Sequence, residues 1–247
     1  MRLRHLFLLH PWFLSFILNI AVPYFLQEVV IAAELPDGYQ LVYSQDFREP
    51  NALHDFQFSD PAAWRLGTQN GRYFMEQFRP SKYEYKVRSP YNIGLLRTLR
   101  LRNFILECDL LQTGKDYGHR DMCLFYNFQN RSHFYYSHIA TKPDNHAHGC
   151  FLVDNKPRIR IDGDRTNGFD WGKNTWHQFR LVRNADRGTI SLFADGGNTP
   201  IMTATDKTFG WGHVGFGTFD DTGRVSNVKI WAPETQPGAE NKNLFAE

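Results

Sequence analysis

The chain has 247 residues, 42% of them hydrophobic and 22% charged, a globular balance that excludes a disordered or fibrous protein. Its formal net charge of +2 comes with no long run of one sign, so it lacks the clustered basic charge of a nucleic-acid-binding protein. An aromatic share of 15%, set against 4 Met, disfavours a helical bundle and suits strands separated by turns.

The first 33 residues differ chemically from the rest. Arg2 and Arg4 precede a stretch that carries no Lys, Arg, Asp or Glu from Leu6 to Gln27, and the segment closes on Ala32 and Ala33. A positive start, an apolar middle and small residues at the exit predict a secretory signal peptide over 1–33, hence a secreted, periplasmic or cell-envelope protein. The alternative is an uncleaved membrane anchor, since the uncharged run of 22 residues could span a bilayer. Pro11, Asn19 and Pro23 interrupt that run. Membrane contact is therefore expected only during export or through an uncleaved segment.

From residue 39 onward apolar side chains recur with a period of two in short runs ended by Gly, Asn, Asp or Pro. Strands are predicted at 40–47, 83–88, 95–101, 104–112, 122–128, 134–140, 150–153, 158–161, 176–183, 189–194, 201–205, 213–219 and 225–231. Residues 61–64, after the cap residue Asp60, read as a single helical turn. Loops at 129–133, 154–157 and 186–188 join neighbours as hairpins. So many strands in one unit predict an all-β fold, a two-sheet antiparallel β-sandwich over 34–232, because a single open sheet would leave one whole face wet. The polar stretch 233–247 loses the alternation and is expected to fray. Cys108, Cys123 and Cys150 each lie in an apolar strand, show no metal-binding spacing and read as buried, inert thiols.

The second half carries a more specific pattern. Trp176-His177 opens a strand, Asp195-Gly196 turns another, the strand His213 to Phe216 carries a Gly-x-Val-Gly run that begins at Gly212, and Asn227 to Ile230 closes. These motifs resemble the concanavalin A-like lectin/glucanase jelly rolls, most closely the laminin-G-like and 3-keto-disaccharide hydrolase type domains of secreted bacterial proteins. The resemblance implies a jelly-roll sandwich and a carbohydrate partner. Its motifs are architectural and identify a fold better than an activity.

Five of the eight histidines after residue 33 fall between 119 and 148: His119, His133, His138, His146 and His148. If the loop at 129–133 joins an antiparallel pair, Asp121 lies opposite about Thr141 and His138 opposite about Leu124. That brings 118–121 and 142–148 to one rim of a sheet. The expected ligand site comprises His119, Arg120, Asp121, Tyr126, Tyr136, His138, Lys142, Asp144 and His146. Its aromatics would stack on a sugar ring and its rim would bind hydroxyls. The bland alternative is a solvated edge with Arg120 paired to Asp144.

A catalytic use would draw on His138, Arg120 and Tyr136: in a polysaccharide lyase, Arg120 or Lys142 would neutralise a uronate and His138 or Tyr136 would act as base. Glu107 with Asp109 is the strand pair a glycosidase would use. The paired-carboxylate signature of jelly-roll glucanases and the marker motifs of alginate lyases are absent, which ranks glycan binding ahead of a hydrolase or lyase and of a purely structural envelope protein. The one cofactor the loops invite is a structural calcium, at Asp162-Gly163-Asp164 or at Asp220 and Asp221, although turn formation is the commoner use of such clusters. His146 and His148 could together hold a transition metal.

Overall fold

The computed structural model describes residues 35–238 and 242–246. The expected signal segment 1–33 lies outside them. In chain order the strands are β1 (Gln40–Gln45), β2 (Phe56–Phe58), β3 (Trp64–Gln69), β4 (Arg72–Gln77), β5 (Asn92–Leu96), β6 (Leu99–Arg100), β7 (Phe104–Gln112), β8 (Asp121–Asn130) and β9 (His133–Ala140). There follow β10 (Gly149–Asp154), β11 (Ile159–Arg160), β12 (Asp162–Arg165), β13 (His177–Asn184), β14 (Thr189–Ala194), β15 (Met202–Thr205), β16 (His213–Thr218), β17 (Gly223–Ala232) and β18 (Gln236–Pro237). One sheet runs β12-β15-β14-β13-β7-β17-β4-β3, with β1 also on β17; the other runs β11-β10-β9-β8-β16-β5-β2. All named pairings in both are antiparallel, which makes the molecule the all-β jelly-roll sandwich expected of a concanavalin A-like domain.

The alternation that announced the strands is the alternation of the core. In β7, Phe104, Leu106, Cys108 and Leu110 point between the sheets while Glu107 and Asp109 face outward. The second sheet departs from this rule. Strand β8 is buried along Asp121 to Phe128, because Met122, Leu124 and Tyr126 enter the inter-sheet core while Cys123, Phe125 and Phe128 enter a second core on the outer face. That outer core also contains Phe134, Tyr136 and Phe151. It is covered by Tyr83, Val87 and Phe219 and by Leu244 and Phe245.

Two expectations change here. Residues 83–88 form no strand; they cross the outer face as irregular chain, with Tyr83 edge-on to Phe245 at 5.5 Å between ring centres. The tail does not fray over its described part, since Gln236–Pro237 pairs with Leu99–Arg100 and Leu244 and Phe245 are buried. All three cysteines are buried and unbridged.

The pairing of β8 with β9 fixes the site. A two-residue turn, Arg131-Ser132, sets Asn130 opposite His133, and further on Tyr126 lies opposite Tyr135 and Cys123 opposite His138. Between these pairs, three residues of β8 (127–129) face Phe134 alone, a bulge whose first residue, Asn127, has φ 46°. Asn suits this left-handed conformation. Its amide donates to Leu101 O and Gly210 O, and its Oδ1 accepts from Arg183 Nε at 2.9 Å. Arg183 is fully buried and spends its other donors on Gly188 O, Asp206 O and Phe209 O. Burial pulls its pKa down, and the carbonyl cage keeps its donors satisfied. Arg183→Ala would strand four acceptors around a cavity; a loss of about 3 kcal/mol or more is expected, read as a lower urea midpoint with unchanged m-value.

Candidate functional site

The loops 113–120 and 141–148 meet at one end of the second sheet. Lys142 N donates to Gly118 O at 2.8 Å and Thr141 N to Arg120 O at 3.2 Å. Asp144 is half exposed at this rim and contacts His119 Nε2 at 2.5 Å, so His119, and not Arg120, is its partner. Partial burial works against its ionisation, but the His146 amide and the His119 ring hold its carboxyl below the usual range. Lys142 is exposed and lies over Gly118.

Several residues singled out from sequence are structural. Arg120 is turned inward, donating to Gln112 Oε1, Gln112 O and Gly172 O. Tyr126 is buried between the sheets and stacks on Tyr135 at 5.6 Å, away from the face of Tyr136 and His138. The reason is parity: a five-residue loop at 129–133 gives an even register sum, whereas the tight turn gives an odd one, and a slip of one residue exchanges the faces. Tyr136 does lie on the outer face but is fully buried, stacked on Phe151 at 5.1 Å with its hydroxyl enclosed. Glu107 and Asp109 sit on the opposite sheet beside Arg180 and Arg72.

His138 remains at the floor of a cleft of about 330 Å³. The walls bring His119 and His146 together with Tyr117, with Asp220, which the sequence offered only as a calcium ligand, and with residues the sequence did not offer for a site: Tyr85, Arg88 and Tyr91 from the covering segment, and Arg158 and Phe219. Tyr85 and Tyr117 are exposed, and the Tyr85 and Tyr91 rings lie 6.3 Å apart. The Arg158 guanidinium sits over the Phe219 ring at 4.5 Å, and Phe219 covers His138 at 5.3 Å. A larger groove of about 910 Å³ near Arg100 and Lys242 includes none of the histidine-cluster residues.

Below the floor lies a buried polar cluster. His138 Nδ1 is 3.0 Å from His146 O, and its Nε2 is 3.1 Å from Asp121 Oδ2. The same oxygen accepts from the Cys123 thiol at 3.3 Å and from Phe219 N at 3.2 Å. Burial, then the Asp121 charge, pushes the Cys123 thiol up. Asp221 Oδ2 accepts from Asp121 N and from Tyr117 OH. Burial and the charge of Asp121 raise the Asp221 carboxyl to about 7. Asp220, by contrast, is exposed in the cleft, so the two neighbouring carboxylates sit in different surroundings. Asp162 lies beside Arg160 and Arg165. His148 is buried, with its Nε2 on Thr166 Oγ1 at 2.9 Å, while His146 is exposed.

No family model matches the chain, and no curated protein does. Solved structures do. The carbohydrate-binding module CBM66 from Bacillus subtilis is 14% identical over 71% of this chain and 94% of its own, with a TM-score of 0.50. The exoplasmic/lumenal domain of VIP36, in a Ca2+/Man3GlcNAc-bound form, is 12% identical over 84% of this chain and 97% of its own, at 0.50. The winged bean acidic lectin complexed with methyl-alpha-D-galactose is 9% identical over 80% and 99%, also at 0.50. At these identities the likeness concerns the concanavalin A-like fold.

His148 supplies a test of the rim's electrostatics. Burial first, then Arg165 and His138, lowers its pKa to about 4, against about 6.5 in an unfolded chain. Between these values the unfolded state binds the proton first, so stability is retained above pH 6.5 and falls as pH drops toward 4. His148 has φ 53°, a conformation that Asn accepts. His148→Asn should recover on the order of 2 kcal/mol of the acid-side loss; urea melts at pH 7 and 4.5 that show the same decrement as the parent would refute this assignment.

Proposed function

We propose that the protein is an exported carbohydrate-binding sandwich that takes an oligosaccharide in the cleft above His138. The observation that carries this reading is the lining: exposed Tyr85 and Tyr117 beside His119, His146 and Arg88, on a rim otherwise tied down by loop-to-loop hydrogen bonds. Sugar rings have apolar C–H faces that pack on aromatics, and hydroxyls that need fixed donors and acceptors. Guanidinium and imidazole groups provide donors of defined direction. The fold neighbours, a carbohydrate-binding module and two proteins with bound sugars, support the same reading. Export rests on the residue pattern of 1–33.

Tyr85 and Arg88 are exposed, so their removal leaves both cores intact. On a panel of neutral and acidic polysaccharides, the parent should bind at least one member. Tyr85→Ala and Arg88→Ala should each weaken that binding about tenfold, roughly 1.4 kcal/mol, with the melting temperature held. Binding that survives both substitutions, or no binding across the panel, would overturn the proposal.

A further inference from the structure

The geometry points to a transition-metal site beneath the cleft floor, with Asp121, Cys123 and His138 as ligands and Zn2+ as the type of ion. Asp121 and Cys123 are two residues apart on β8 and so share a face, and His138 is the cross-strand partner of Cys123 on β9. The three side chains offer a carboxylate oxygen, a sulfur and an imidazole nitrogen that lie within 4.8 Å of one another. The carboxylate oxygen is 3.3 Å from the sulfur and 3.1 Å from the nitrogen. Four-coordinate zinc places such donors at about 2.0 Å for N and O and about 2.3 Å for S, which sets donor atoms a little over 3 Å apart. This donor set is borderline-soft and mixed, which suits Zn2+ over Ca2+ or Mg2+.

Two further observations point the same way. First, His138 Nδ1 faces the His146 carbonyl at 3.0 Å. An N–H donated there leaves the lone pair on Nε2, the arrangement by which metal-binding histidines are oriented. Second, among the described residues Asp121 Oδ1 has no hydrogen-bond partner and His138 Nε2 has none beyond its 3.1 Å approach to Asp121 Oδ2, in residues 0% and 3% exposed. A lone pair on Nε2 directed at a carboxylate oxygen 3.1 Å away is two acceptors in contact, and a cation resolves it. Binding releases the Cys123 thiol proton to solvent, and carboxylate, thiolate, neutral imidazole and a divalent ion then sum to zero charge, as a buried site requires. His138 borders the cleft, so the ion would lie just under the surface where ligands are proposed to sit, but the assignment does not depend on what the cleft binds.

The test is titration of the full chain, freed of metal with a chelator, with Zn2+ and separately with Co2+ and Ca2+. One equivalent of Zn2+ should bind and raise the melting temperature. Co2+ should produce a near-ultraviolet thiolate charge-transfer band together with the intense visible bands of a four-coordinate ion. Cys123→Ser should abolish the charge-transfer band and weaken Zn2+ at least tenfold, whereas Cys150→Ser, at a thiol hydrogen-bonded to Ser137, should change neither. Should Cys123→Ser fail to fold, X-ray absorption of the zinc-loaded parent decides: one sulfur at about 2.3 Å among lighter donors at about 2.0 Å is expected. No stoichiometric zinc, zinc without a sulfur neighbour, a cobalt band that persists in Cys123→Ser, or stabilisation by Ca2+ alone would each overturn the assignment.

Discussion

The structure turns on the register between β8 and β9, because these two strands are buried on both faces and serve two cores at once. Met122, Leu124 and Tyr126 belong to the inter-sheet core, and Cys123, Phe125, Tyr136 and Phe151 to the outer one. A slip by one residue would exchange every side chain between them. Ordinary half-wet strands have their register enforced by polarity, but a strand apolar on both faces does not. Here the constraint is polar instead. The bulge at Asn127 and the buried guanidinium of Arg183 admit one geometry, since Asn127 Oδ1 and three carbonyls must meet the same fork of N–H groups. With that lock in place, Asp121 and Cys123 fall on the face of His138.

Much of the sandwich was legible because most of its strands are wet on one side. Strands β13 and β14 alternate, as does the middle of β7, and residues 104–112, 176–183 and 189–194 were read from that alternation. Strands β3 and β4 were passed over although Asn70-Gly71 between them is a strong hairpin signal, since Trp64–Gln69 and Arg72–Gln77 are short and interrupted by charge. The opposite error at 83–88 has a related cause. Alternating Tyr and Val there reflect packing onto the outer core, which irregular chain can do as well as a strand.

The site was legible in its location but not in its membership. The histidine cluster lies on two loops that do meet, because the 118–121 and 141–148 segments are joined by the hairpin itself. Which side chains point into the cleft depended on register parity, hence the loss of Tyr126, and on hydrogen bonds made at a distance, hence the inward turn of Arg120 toward Gln112 and Gly172. The other walls come from residues 85–91, 158 and 219–220, brought in by the cover and by neighbouring strands. No local pattern joins Asp121, Cys123 and His138 either, since their proximity exists only once Cys123 is paired with His138.

The outer core explains why a cleft exists at this end. Residues 83–87 and 244–245 roof the aromatic part of the face, where Phe125, Phe128 and Phe134 leave nothing to hydrate. Toward Asp121 the face becomes polar, and the roof gives way to a cleft floored by His138. Had stability alone shaped this end, apolar residues at 121 and 138 would have extended the same core, because each buried polar atom left without a partner costs about 1–3 kcal/mol. The chain instead keeps Asp121 and His138 there, with Asp221 bonded to the Asp121 amide and to Tyr117 from the cleft wall. Departures from the most stable local choice concentrate at sites that do something besides fold. In this molecule the departure sits where exposed aromatics, imidazoles and a guanidinium converge.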